Sequence, residues 1–376
     1  MSGVVSVVEA NTPRLRRAFA RFPLTLYRND PAFVAPLLTE RDEFFDPLRN
    51  PFFTGARVKL FLAYRDGVIV GRISSCVYFA HNELHAERAG WFGFFDTIDD
   101  YIVAAALLKV ALITLKQEGM TILRGPASFS VNHEWGFVVE GFDRPPAILM
   151  PYNRPYQPAF AERFGFRKCM DLFAWETSRD IHFPERMITL AGKATERYRV
   201  RVRPLNMRRF EDEVRTIHGI YNTAWENNWG ATPMKWEEFA HLAKGLKQIV
   251  DPDLALVAEI DGAPVAFALS VPEMNQALIH LNGRLFPTGL FKLLWHTKVR
   301  NKITSLRTVA LGVLPEHRRR GVDTVLILRT YLNAVPKGYT YSELSWVLET
   351  NTPLNSIAER LGARITKRYR LMEMSI

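Results

Sequence analysis

The chain has 376 residues, 48% of them hydrophobic and 23% charged, which excludes a disordered or low-complexity protein and is long for one ordinary domain. Its 49 Lys and Arg against 39 Asp and Glu leave a net charge of +10, which favours a polyanionic partner such as nucleotide phosphates, RNA or an acidic lipid surface. The two cysteines, Cys76 and Cys169, lie far apart and match no metal-ligand spacing, so neither a metal centre nor a disulfide framework is expected and both are read as reduced packing residues.

No basic-then-apolar signal pattern opens the chain, and a cytoplasmic protein is expected. Residues 14–28 (RLRRAFARFPLTLYR) mix cations with apolar and aromatic side chains. Residues 60–77 (LFLAYRDGVIVGRISSCV) read as two strands joined at Asp66-Gly67, because Gly accepts the positive φ of a tight hairpin turn. Residues 101–115 (YIVAAALLKVALITL) are strongly apolar, but they are too few to span a bilayer and Lys109 interrupts them, so a buried helix is predicted. In the following loop Ser128, Ser130, Asn132, His133 and Glu134 crowd beside Trp135. Asn132 and His133 are candidates for holding the polar head of a substrate; the alternative is a hydrogen-bonded turn.

The second half answers the first. Residues 254–271 (LALVAEIDGAPVAFALSV) match 60–77, with Asp261-Gly262 in place of Asp66-Gly67, and AERLGARI at 358–365 matches AERFGFRK at 161–168 at nearly the same offset. Two matches in register predict a tandem duplication of an α/β unit of about 190 residues. The join is placed in residues 178–187, where Pro184 breaks the pattern, giving domains 1–182 and 183–376. In the second domain, periodicity predicts helices over 211–225, 236–247, 322–334 and 352–361. Strands are predicted over 255–260, 265–271, 276–281, 307–313, 342–348 and 365–372. The fold class is α/β: two units, each a mixed, mostly antiparallel sheet flanked by helices.

The chemistry gathers around residues 309–332 (VALGVLPEHRRRGVDTVLILRTYL). A strand ends before Pro315, and Arg318-Arg319-Arg320-Gly321 lead into a helix opened by Val322-Asp323-Thr324. The first N–H groups of a helix lack intrahelical acceptors and lie at the positive end of its dipole, so this turn is predicted to bind an anion. Gly321 lets backbone approach a ligand closely.

The pattern V-x-P-x-x-R-x-x-G-V over residues 313–322 resembles the acyl-CoA motif of the GNAT N-acyltransferase superfamily. The resemblance implies that Arg318, Arg319, Arg320, Gly321, Val322, Asp323 and Thr324 hold a pyrophosphate. It also implies that the Leu311 and Val313 backbone pairs with pantetheine, and that Asn351 opens the closing helix of the site. Two departures stand out. Asp323 occupies a position the family gives to a small residue, and its side chain is expected to turn outward and leave the amides free. Ala358 stands where many members carry a tyrosine that protonates the departing thiolate; Tyr339, Tyr341 and Tyr369 are the substitutes on offer. The corresponding stretch of the first domain, residues 90–108, has no R-x-x-G and carries Asp99 and Asp100 instead, so it is expected to bind no CoA.

GNAT chemistry is direct attack of a neutral amine on a thioester, which needs positioning, a base and oxyanion stabilisation but no metal. Glu226, His280 and Glu349 are the candidate bases. Trp225, Asn228 and Trp229, in YNTAWENNWG, are candidates for lining the acceptor site. Residues 283–303 set Leu290, Phe291, Leu293, Leu294 and Trp295 beside Lys292, Lys298, Arg300 and Lys302, the composition of an interfacial membrane helix or of ordinary packing. Segments in order along the chain, among them NPFFTGA, LRGPASFSVNHEWG, MPYNRPYQ and SWVLETNTPLNSIAERLGARITKRYR, resemble the double-GNAT bacterial proteins that include the bacterial ceramide synthases. That resemblance implies acyl-CoA as co-substrate and the amine of a sphingoid base such as 3-ketosphinganine as acceptor. Residues 283–303, and 14–28 with their similar character, would suit peripheral contact with an anionic membrane, and no nucleic acid is expected. The alternatives are an acetyltransferase of small amines, an aminoacyl-tRNA-dependent transferase, and a CoA-binding protein without catalysis.

Overall fold

The computed structural model describes residues 3–181, 183–300 and 303–376. In chain order, β1 (Ser6–Glu9), α1 (Pro13–Leu26) and α2 (Leu38–Phe44) precede the hairpin of β2 (Ala56–Arg65) and β3 (Val68–Tyr78). There follow α3 (Phe79–His85), β4 (Ala89–Thr97), α4 (Tyr101–Gln117), β5 (Ile122–Gly125), β6 (Phe137–Glu140), α5 (Tyr156–Phe164) and β7 (Arg167–Ser178). The second half comprises α6 (Glu185–Arg197), β8 (Arg201–Pro204), α7 (Phe210–Trp225), α8 (Trp236–Leu246), β9 (Ala255–Ile260) and β10 (Ala263–Pro272). It continues through α9 (Asn275–Leu278), α10 (Gly289–Leu294), β11 (Ser305–Val313), α11 (Val322–Ala334), β12 (Tyr341–Leu348), α12 (Thr352–Arg360) and β13 (Arg364–Ser375).

The compact units are not the two halves of the chain. One comprises Met1–Leu172, Ala277–Arg300 and Lys367–Ile376; the other comprises Phe173–Gln276 and Asn301–Thr366. The division at 182/183 follows the repeat, whereas compactness follows contacts, which place residues 277–300 and 367–376 in the first unit. His182, at the sequence boundary, lies outside the described residues, as do Asn301 and Lys302.

In the first unit β1 to β4 pair antiparallel in order and β4 pairs with β5 in parallel. Met372–Ser375 of β13 close the sheet against β5. The apolar run is α4, whose Val103, Ala104, Leu107, Leu108 and Ala111 are fully buried against Ile73 and Leu123. Among the described residues no helix is long and apolar enough to cross a membrane. Asp100 caps α4, accepting from the Ile102 N–H at 2.8 Å. It also pairs with Arg65 at 2.8 Å, and the hydrogen bond from Arg65 holds its carboxyl below the usual range. A carboxylate thus sits at the helix start where an anion would otherwise bind.

The second unit repeats this order: β8 to β11 pair antiparallel and β11 runs parallel to β12. Both hairpin turns have the geometry the sequence called for, with φ of 51° and 77° at Asp66-Gly67 and 50° and 84° at Asp261-Gly262. On one face of this sheet α6 and α11 pack through Ala191, Ala194, Val322 and Leu326. On the other lies α7, with Ile217, Ile220 and Ala224 against Val257 and Phe267.

Three expectations change. Residues 276–281 form the end of α9 and a turn instead of a strand, and the Gly283 carbonyl accepts from the Leu38 N–H at 2.9 Å within the first unit. The helix α6 was not anticipated, although Met187, Ala191 and Ala194 repeat at helical spacing and are its buried residues. In residues 14–28 the aromatic side chains Phe19, Phe22 and Tyr27 are buried in the core and are not available to a membrane. Both cysteines are free, and burial pushes the Cys169 thiol up to about 12 and the Cys76 thiol further, as suits packing residues.

Candidate functional site: a helix start, a parted strand pair and an apolar pocket

All elements of the site in this section, unless stated, belong to the second unit. The registers Leu269↔Ala310 and Ser270↔Thr308 skip Val309, which bulges. The bulge keeps Leu306, Thr308 and Leu311 on the α11 face of the sheet and aims Ala310 and Leu314 at α7. Pairing with β12 runs only from Ser305↔Tyr341 to Thr308↔Leu344. Beyond that rung the two parallel strands part, so Leu311 and Val313 pair on one side with β10 and leave their other backbone edge available to an extended ligand.

Past β11, Arg319 and Gly321 both adopt left-handed backbone, with φ of 60° and 78°. This bends the chain into α11 with Gly321 as N-cap. A Cβ at Gly321 would come within 3.1 Å of the Leu190 side chain and 3.4 Å of Ala194 on α6. Residues Val322 to Thr324 form the first turn, while the Val325 N–H already bonds the Gly321 carbonyl at 3.0 Å. The three arginines take separate roles. The Arg318 guanidinium donates to the Ala224 carbonyl at 2.6 Å, tying the loop to the end of α7. Arg319 is exposed. Arg320 lies 5.4 Å from the Tyr198 ring centre, and with Lys193, Arg197 and Arg319 it borders an open basic pocket between the loop and α6.

A pyrophosphate fits this turn in its glycine, its free first amides and its cations. Asp323 departs from the expectation. Its Oδ1 turns inward and accepts the Thr324 N–H at 2.7 Å, because an acid in a helix's first turn satisfies the nearest orphan donor. One amide of the cradle is therefore engaged by the protein itself, and those of Val322 and Asp323 remain for a ligand.

Trp225 is brought against the strand end: a Cβ on Gly312 would lie 2.7 Å from its indole, so only glycine allows this packing. Glu226 follows at the helix end, exposed, accepting from Asn227 at 3.3 Å. Asn228 and Trp229 form the turn after it and are half-buried. Glu349 is half-buried just past β12, and Asn351 caps α12 through Leu354 N–H at 3.3 Å. The remaining candidates lie in the first unit. His280 stands in the turn after α9, stacked on His296 at 4.2 Å between ring centres. His133 meets Ser130 Oγ at 3.0 Å with its ring edge-on to Phe44 and Phe52. Asn132 donates its N–H to the same Ser130 oxygen at 3.3 Å.

Of the substitute tyrosines, Tyr369 is buried in the first unit, while Tyr339 and Tyr341 border an apolar pocket between α11 and α12. Burial pushes the Tyr339 hydroxyl above its usual range, and Asp251 adds to the shift. Ala358 is among the residues that line this pocket.

Spacing gave no reason to single out one buried group beside the parting strands. The Arg307 side chain, 1% exposed, donates to Ser345 Oγ and to the Ser345 carbonyl, both at 3.0 Å, while Ser345 Oγ donates to Glu343 at 2.7 Å. A buried strand arginine shows in sequence only as an apolar pattern with one cation. Arg307→Leu is expected to cost about 1–3 kcal/mol, because it leaves the buried Ser345 acceptors without their donor. The thermal midpoint of the purified variant checks this; an unchanged midpoint would mean the cluster does not support the strand pair.

No protein-family model matches the chain. Full-length relatives do. It is 38% identical over 366 residues to Protein YghO of Escherichia coli (strain K12), covering 96% of this chain and 93% of that one. It is 36% identical over 380 residues to the bacterial ceramide synthase of Caulobacter vibrioides (strain NA1000 / CB15N), covering 99% and 98%. Among solved structures, a tandem GNAT protein from the clavulanic acid biosynthesis pathway matches 99% of this chain and 98% of that chain, with a TM-score of 0.58 at 12% identity. The duplicated sheet order, the parted strands and these full-length identities agree: the chain is an acyltransferase of tandem GNAT fold, and belongs to the family of YghO and the bacterial ceramide synthase.

Proposed function

We propose that this protein transfers a long-chain acyl group from acyl-CoA to the primary amine of a sphingoid base such as 3-ketosphinganine. The observation that carries the reading is a juxtaposition on one face of β11. An anion-receiving helix start follows its end, an open backbone edge runs along Leu311 and Val313, and an apolar pocket reaches the same Leu311. A donor with a phosphate end, an amide-bearing arm and a hydrocarbon chain matches those three features in order. The name of the Caulobacter relative supports ceramide formation.

In this reading the donor occupies the α11 face, and the acceptor amine approaches from the α7 side, past Trp225 and Glu226. Glu226 removes the proton as nitrogen attacks the thioester carbonyl. The tetrahedral adduct collapses to an amide and expels the CoA thiolate. The first domain, with Asp100 at its helix start, serves without a CoA of its own. Phe286, Phe291, Trp295 and Val299 are exposed beside Lys292, Lys298 and Arg300, and they suit peripheral contact with an anionic membrane that supplies the lipid from the cytoplasmic side.

The test is turnover. Purified protein with palmitoyl-CoA and 3-ketosphinganine is expected to release free thiol and form the N-palmitoyl product, read by mass spectrometry. Thiol release with small amines and none with any sphingoid base would overturn the lipid acceptor.

A further inference from the structure

We propose that the pocket between α11 and α12 receives the hydrocarbon chain of the donor, and that Ala358 and Ala334 set the longest chain it admits. This rests on the acyl-CoA reading above and assigns the part of the site that chooses the donor.

The pocket is built for an apolar guest. Leu306 and Leu311 of β11 and Leu344 of β12 floor it, and Ile327 of α11 and Leu361 of α12 wall it. The floor's Thr308 hydroxyl is paired with Ser270 at 2.8 Å, so burying it beneath a hydrocarbon strands no polar group. Ala334 of α11 and Ala358 of α12 also line it, 7% and 3% exposed. Larger side chains at these positions would project into the space. The rim is fastened from outside: the Tyr331 hydroxyl donates to the Arg179 carbonyl at 2.8 Å, and its ring packs on Phe183 with centres 5.0 Å apart.

Two points assign the space to the donor. Its floor is continuous with the strand that leads into the Arg318–Gly321 turn, so one molecule can span both. The opposite face of the same strand is covered by Trp225 and α7, the side from which the acceptor approaches in the reading above.

Binding without any amine tests this apart from turnover. Each buried methylene tightens an apolar ligand roughly three- to four-fold. Palmitoyl-CoA is therefore expected to bind the full-length protein roughly a hundred-fold or more tighter than acetyl-CoA by calorimetry. Ala358→Trp is expected to remove most of that gain while leaving acetyl-CoA affinity within about two-fold, and Ala334→Leu to lower the preferred length towards octanoyl-CoA. Equal binding of palmitoyl- and acetyl-CoA to the unaltered protein would overturn the proposal, as would an equal loss of both in a folded Ala358→Trp variant. Should that variant not fold, palmitoyl-CoA carrying a terminal diazirine decides on the unaltered protein. Labelling of residues that line the pocket, on β11, α11, β12, α12 or the segments that follow β7 and α11, supports it, and labelling elsewhere overturns it. A preserved chain-length gain with no acylation of any amine would sink the proposed function and leave the pocket standing. Turnover without the gain would do the reverse.

Discussion

Gly321→Glu is expected to abolish binding of CoA and its thioesters. The residue has a φ of 78°, where a side chain costs about 1–2 kcal/mol, and its Cβ would press on Leu190 at 3.1 Å. Those terms alone weaken the fold modestly, and Gly321→Ala measures them. The carboxylate adds a like charge at the helix start. At 4 Å and an effective dielectric of about 20, one such pair is worth about 4 kcal/mol, about three orders of magnitude in affinity. Calorimetric titration with CoA, with thermal midpoints as the folding control, reads both effects. Equal, small losses in Gly321→Ala and Gly321→Glu would mean that no phosphate sits at this turn. Asp323→Gly supplies the converse. It frees the Thr324 N–H now held at 2.7 Å and removes a negative charge, so CoA affinity is expected to rise about three- to tenfold. A fall would show that the inward carboxylate shapes the turn more than it blocks it.

Glu226→Gln is expected to lower kcat by about 10²–10⁴, the usual worth of a general base, with acyl-CoA affinity unchanged. The residue follows Trp225, which packs on Gly312 at the end of β11, and Arg318 clamps the preceding Ala224 carbonyl. The α7 end is therefore fixed beside the parted strands while the carboxylate itself stays exposed. Folding and binding controls distinguish chemistry from packing: kcat should fall in the variant while its thermal midpoint stays that of the unaltered enzyme. Retained kcat in Glu226→Gln together with a loss in Glu349→Gln would move the base to the end of β12.

Much of the second unit could be read locally. Asp261-Gly262 needed only the turn's positive φ, and the limits of α11 at 322 and 334 followed from Gly321 before it and its apolar period. The helix start carried the expectation of an anion site in one glycine and three arginines. Other features depended on partners distant in sequence. Residues 276–281 looked like a strand by alternation, yet they enter a segment that packs with residues near Leu38 and so lose any sheet neighbour. Ala358 read as a missing acid, and only tertiary structure places that small side chain among the residues that line an apolar pocket.

The sequence alone determined the duplication, the two hairpins, the helix that follows β11 and the chemistry of the turn at Gly321. Each of these is set within a few residues, by backbone sterics, by the period of burial or by orphan amides at a helix start. Tertiary structure alone decided which unit holds residues 277–300 and 367–376. It also decided that Arg318 reaches the Ala224 carbonyl, that Asp323 turns inward, and that an apolar pocket lies beneath the parted strands. The reason is that a side chain's direction and a pocket's volume depend on what the rest of the chain packs against them, which no local pattern encodes.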